Sequence, residues 1–128
     1  MKKIILIIFI KIFIFSSAIA EVYYCSDDAN KGFRHDSNQD YVSANFKVQR
    51  FKAKIDFEEK TMMADKIFTG RNNCTLGGTY DEFKTYMVCT DDYGSILKIQ
   101  KLSLIFYRAA TFGGGDTLHI AHGRCEKF

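Results

Sequence analysis

Phe46-Lys47-Val48-Gln49-Arg50-Phe51-Lys52-Ala53-Lys54-Ile55-Asp56-Phe57 is the stretch that decides the fold class. Phe51, Ala53, Ile55 and Phe57 alternate with Lys52, Lys54 and Asp56. A period of two places one row on each face of a strand. A helix would need apolar residues three and four apart. Phe46 and Val48 fall out of phase with Phe51, so a bend or bulge is expected near Gln49-Arg50. Glu58-Glu59-Lys60 then reads as a hairpin turn, with Thr61–Ala64 as the returning strand.

The same reading extends outward. Val22–Cys25 is apolar and strand-prone. Asp27–Asp40 is polar, contains Gly32 and is expected to be a loop. Ile67-Phe68 reads as a further short strand or edge, Thr69–Asn73 as a turn and Leu76–Asp81 as a loop. Phe83–Thr90 is apolar on both faces, as a central strand would be. Asp91-Asp92-Tyr93-Gly94 is a turn signal. In Ser95–Gln100, Leu97 and Ile99 share one face. Leu104–Ala110 and Thr117–His122 are the last strands, the latter with Leu118 and Ile120 expected inward. No three-turn helical stripe occurs after residue 20. The expectation is an all-β domain of about seven or eight strands, a small antiparallel up-and-down barrel or a two-sheet sandwich.

Residues 1–20 read differently. Met1-Lys2-Lys3 is basic, Ile4–Phe15 is apolar apart from Lys11, and Ser16–Ala20 ends in a small-x-small pattern. That is the layout of a secretory signal peptide cleaved after Ala20, leaving residues 21–128 as a single secreted domain in the periplasm or outside the cell. The apolar segment is too short and too charged for a stable membrane anchor. The whole chain carries 18 Lys+Arg against 15 Asp+Glu. Lys2, Lys3 and Lys11 would leave with the leader, and the remaining charges balance. Without a basic excess, nucleic acid is not an expected partner.

Four cysteines in a small exported chain read as two disulfides. Of three pairings, Cys25–Cys125 and Cys74–Cys89 are favoured. The first would join the first and last strands, and the second would join strands flanking a glycine-containing connection.

No constellation satisfies the geometry of an active site, so no catalytic, metal or cofactor residue is expected. His119 and His122 form His-x-x-His, but three residues apart on a strand they point to opposite faces. Gly113-Gly114-Gly115-Asp116 lacks the Gly-Lys-Ser/Thr and the helix of a phosphate loop. Asp27-Asp28, Glu58-Glu59, Asp81-Glu82 and Asp91-Asp92 are read as solvated turn acids. Most of Tyr23, Tyr24, Tyr86, Tyr93 and Tyr107 are read as core.

The start Val22-Tyr23-Tyr24-Cys25 and the terminal Gly123-Arg124-Cys125 resemble small periplasmic β-barrel proteins of the C-type lysozyme inhibitor kind, at the two ends and in size. The Ser-Gly-rich loop of that family has no counterpart here, and no functional residue carries over.

Expected from these observations is a non-enzymatic interaction protein with a protein partner. Phe112, Gly113, Gly114, Gly115 and Asp116 form its candidate recognition loop, with Asp27–Asp40 as a second. The alternative is a barrel holding a small-molecule ligand among its aromatic side chains.

Overall fold

The structure, a computed structural model, describes residues 20–78, 85–112 and 117–128. Its strands are β1 (Glu21–His35), β2 (Tyr41–Asn45), β3 (Arg50–Asp56), β4 (Thr61–Ala64) and β5 (Asn72–Gly77), then β6 (Tyr86–Asp91), β7 (Ile96–Gln100), β8 (Ile105–Phe112) and β9 (Thr117–Lys127). Eight of them form a nearly closed antiparallel barrel in the order β4-β3-β1-β9-β8-β7-β6-β5, with β2 added to β1. A side chain helps to close the ring: Asn72 Nδ2 on β5 donates to the Met62 carbonyl on β4 at 2.9 Å.

β5 to β9 are a meander of hairpins, and β9 returns to pair with β1 over most of its length. Both disulfides lie across directly opposed strand residues. Cys25–Cys125 ties β1 to β9, and Cys74–Cys89 ties β5 to β6. The favoured pairing is the observed one.

The turns follow from local chemistry. Asp56 Oδ1 accepts the Glu58 and Glu59 amides, both at 2.9 Å, which closes the hairpin between β3 and β4. Asp91 Oδ1 accepts the Tyr93 and Ser95 amides at 3.0 and 2.8 Å, and Gly94 takes the left-handed conformation (φ 85°) that its turn requires. Burial pushes the Asp91 carboxyl up, but the Ser95, Thr69 and Tyr93 amides outweigh it and hold this group below its usual range.

The core fills the barrel. Phe51, Ile55, Met87, Leu97, Ile99 and Phe106 are buried, and the Phe51 and Phe106 rings meet edge to face at 5.3 Å. Burying one such aliphatic or aromatic side chain stabilises by about 1.5–3 kcal/mol. Eight strands leave an interior just wide enough for side chains to fill.

Four expectations are corrected, besides the bounds of β5, which takes Asn72-Asn73 from the expected turn and Leu76-Gly77 from the expected loop. Asp27–Asp40 is not a loop: β1 runs on to His35, and only residues 36–40 turn. The polar residues there are strand-forming because the barrel satisfies them, as described below. β2 and β3 pair with the same edge of β1, along Lys31–His35 and Glu21–Ser26 respectively. Residues 46–49 bridge them, so the phase break near Gln49-Arg50 is the junction between two strands. Ile67 and Phe68 are not a strand. Their amides bond the Ala64 carbonyl in a turn that tucks Ile67 into the core. Last, β9 has the opposite phase: His119, Ala121, Gly123 and Cys125 are buried, whereas Leu118 and Ile120 are exposed.

Gly123 shows why that phase is fixed. A Cβ there would lie 2.0 Å from the Ser26 carbonyl oxygen and 2.8 Å from the Phe106 ring. Only glycine lets β9 press this closely on β1.

Candidate functional site

The reversed phase of β9 creates two unusual surfaces, one inside the barrel and one outside.

Inside, β1, β8 and β9 contribute a polar layer. Arg108 of β8 and Asp27 of β1 form a buried bidentate ion pair, with Arg108 Nε donating to Asp27 Oδ1 at 2.9 Å and Nη2 donating to Oδ2. Asp27 Oδ2 also accepts the Gln49 amide at 2.8 Å. Three residues on, Asn30 Nδ2 donates to the Lys47 carbonyl at 3.0 Å, so its Oδ1 faces His119 Nδ1 at 2.8 Å. With Asn30 oriented this way, Nδ1 is the ring nitrogen that carries the proton and donates. Burial pushes the His119 pKa down; Arg108 adds to this and Asp27 opposes it. The Asp27 and Asn30 backbones also bond Gln49 and Phe46, respectively. This layer pins residues 46–49 against β1. Asp27 with Arg108, and Asn30 with His119, bond each other directly, which suits a role in holding shape.

Outside, the strands' other faces carry a mixed surface. One row runs Ile96, Ala109, Ile120 and Lys31 across β7, β8, β9 and β1, and the next runs Thr111, Leu118 and Phe33. Ile96, Ile120, Leu118 and Phe33 are 42, 59, 40 and 49% exposed. Contiguous apolar side chains on a sheet face are uncommon on a surface that only meets water.

Beside this patch lies an open groove of about 970 Å³. Its central row is Arg50, Ser26, Arg124 and Ile105, on β3, β1, β9 and β8. Tyr24 and Tyr107 flank that row, with about half of each exposed. Lys52 Nζ lies over the Tyr24 ring, 6.0 Å from its centre. His122 Nδ1 is 3.9 Å from Asp28 Oδ2. The Lys52 amide donates to Asp65 Oδ1 at 2.5 Å. Among the described residues, neither Arg50 nor Arg124 pairs with a carboxylate. A smaller hollow of about 430 Å³ lies alongside, lined by Val22, Met63 and Phe68 among others.

No family model, curated protein or solved structure matches this chain. Any functional reading therefore rests on this geometry and on the sequence.

The candidate recognition loop falls mostly outside the described residues: Gly113, Gly114, Gly115 and Asp116 are beyond them. Phe112 ends β8, its Cα opposite Thr117 of β9. Asp27–Asp40, the second expected loop, is corrected to strand and turn. His119 and His122 do point to opposite faces, and His119 is an interior residue. Asp27 is not a solvated turn acid, because it sits in β1 and is fully enclosed. Glu58-Glu59 and Asp91-Asp92 do fall at turns, whereas Asp81-Glu82 lies outside the described residues. Of the five tyrosines only Tyr23 is core; Tyr24, Tyr93 and Tyr107 are exposed and Tyr86 is half-buried.

Arg50, Arg124 and the apolar patch were missed by the sequence reading. One signal was available. If Cys125 faces inward to reach Cys25, then Gly123, Ala121 and His119 share its face, and Leu118, Ile120, His122 and Arg124 must share the other.

Proposed function

We propose that this chain is a small exported, non-enzymatic interaction protein that docks a protein partner on the outer face of β1, β3, β8 and β9. The observation that carries the reading is the phase of β9. Its apolar residues Leu118 and Ile120 are spent on the outside, Leu118 opposite Phe33, on the face that also carries Tyr107 and Arg124. A large exposed apolar patch edged by tyrosine and arginine has the composition of a contact surface. Export is supported by the Met1–Ala20 pattern, and two disulfides fit an oxidising compartment. The ligand-filled barrel is less favoured, because Phe106, Met87, Leu97 and Ile99 take up interior space that a ligand would need.

The test is site-specific photo-crosslinking in cells that export the chain. A photoreactive residue at position 120 should give one discrete adduct, and the same residue at position 58, on the hairpin between β3 and β4, should give none. No adduct at 120, or equal adducts at both positions, overturns the reading.

A further inference from the structure

The groove beside the apolar patch has a chemistry of its own. Arg50 and Arg124 stand on either side of Ser26, one strand away in each direction. Both side chains are exposed, and both line the same concavity. Neither arginine pairs with a carboxylate, although Asp28, Asp65 and Glu126 share the lining. Asp28 faces His122, and Asp65 accepts the Lys52 amide. Glu126 forms no ion pair with either arginine. Lys52 and Lys66 add two further cations to the lining. Although the charges of residues 21–128 balance overall, this groove sets four Lys and Arg side chains against three carboxylates, a formal excess of one cation, with the two arginines unpaired.

Guanidinium groups match carboxylates through paired N–H donors and give geometry as well as attraction. A concave site admits a protruding chain, whereas a flat bilayer cannot follow it. The apolar residues Ile120, Leu118 and Phe33 continue from the groove's edge and suit a ligand that also carries apolar side chains. Tyr24 and Tyr107 offer ring faces and hydroxyls on its two walls.

We infer that the groove binds an acidic peptide segment of the partner protein, with a carboxylate held between Arg50 and Arg124 over Ser26. This rests on the docking face proposed above and names the chemistry of what docks there.

The test uses the exported, disulfide-bonded protein and a capped hexaglutamate peptide, followed by amide chemical shifts and titration calorimetry. The peptide should shift the Ser26, Tyr107 and Arg124 amides, and raising the salt should weaken it. Arg50→Gln/Arg124→Gln should weaken binding about tenfold or more. The charge-matched Lys60→Gln/Arg71→Gln, on exposed residues away from the groove, should leave it unchanged. Unmoved groove amides, or equal loss in both double variants, overturns the inference. Inorganic phosphate shifting the same amides as strongly at equal charge concentration also overturns it, because the site is then a general anion site. If the position-120 adduct survives Arg50→Gln/Arg124→Gln and high salt undiminished, this inference fails while the docking face stands. If the adduct never forms, the docking face itself fails.

Discussion

β7 and β9 carry the same alternation of apolar and polar residues and use it in opposite senses. In β7, Leu97 and Ile99 point into the barrel and Lys98 points out. In β9, Leu118 and Ile120 point out, and His119 and Ala121 point in. Hydrophobic alternation gives the period of a strand but not its phase. Phase is set by whatever must face the core, and a slip of one residue reverses every side chain. For β7 the apolar residues decide. For β9 the deciding groups are Cys125, bridged to Cys25, and Gly123, which must lie against Ser26. Once these fix the strand, His119 is interior and needs Asn30, while Leu118 and Ile120 are released to the surface.

Removing what fixes β9 should produce the largest effect. Cys25→Ala/Cys125→Ala opens a loop with a sequence separation of 100, and Cys74→Ala/Cys89→Ala one of 15. Chain entropy puts the losses at about 4.7 and about 3 kcal/mol. Denaturant unfolding should rank them in that order, and the reverse order would mean that β9 is anchored elsewhere.

Next is the polar layer behind β9. Asp27→Ala leaves the Arg108 guanidinium buried without its carboxylate, at a cost of about 3–5 kcal/mol. Asp27→Ala/Arg108→Met should recover most of that loss, since an apolar pair of similar volume is often neutral. A double variant as unstable as the single one would show that the Gln49 contact, rather than the ion pair, carries the effect.

A smaller effect follows from His119. Its folded pKa lies below 6.5, so below that pH the unfolded chain takes up a proton that the folded chain resists. This contribution is complete above about pH 6.5 and is lost as the pH falls toward the folded value. Thermal unfolding between pH 7.5 and about 5 should therefore show a steeper decline for the wild type than for His119→Gln. Parallel curves would remove His119 from the account.

Much of the barrel was legible. The period of two in Phe51–Ile55, the turn at Asp91–Gly94, and the inward Leu97 and Ile99 all read correctly, because each is decided by neighbours in sequence. The two cysteine pairs also read correctly, from strand position. β1 beyond Asp27 did not. Asp27 and Asn30 look like loop residues until Arg108 and His119, 81 and 89 positions away, supply their partners. The outer face was hidden for the same reason. It exists only because long-range constraints set the phase of β9, and no local pattern around Leu118 or Ile120 announces it.

The most direct test of that inversion is the unfolding free energy of Leu118→Ser/Ile120→Ser measured beside Leu97→Ser. Exposed substitutions away from special features change stability by about 0.5 kcal/mol each. Truncating a fully buried aliphatic side chain costs about 2–5 kcal/mol. The account predicts that the β9 double variant stays within about 1 kcal/mol of the wild type while Leu97→Ser loses several. A β9 loss as large as that of Leu97→Ser would place Leu118 and Ile120 in the core and contradict the account.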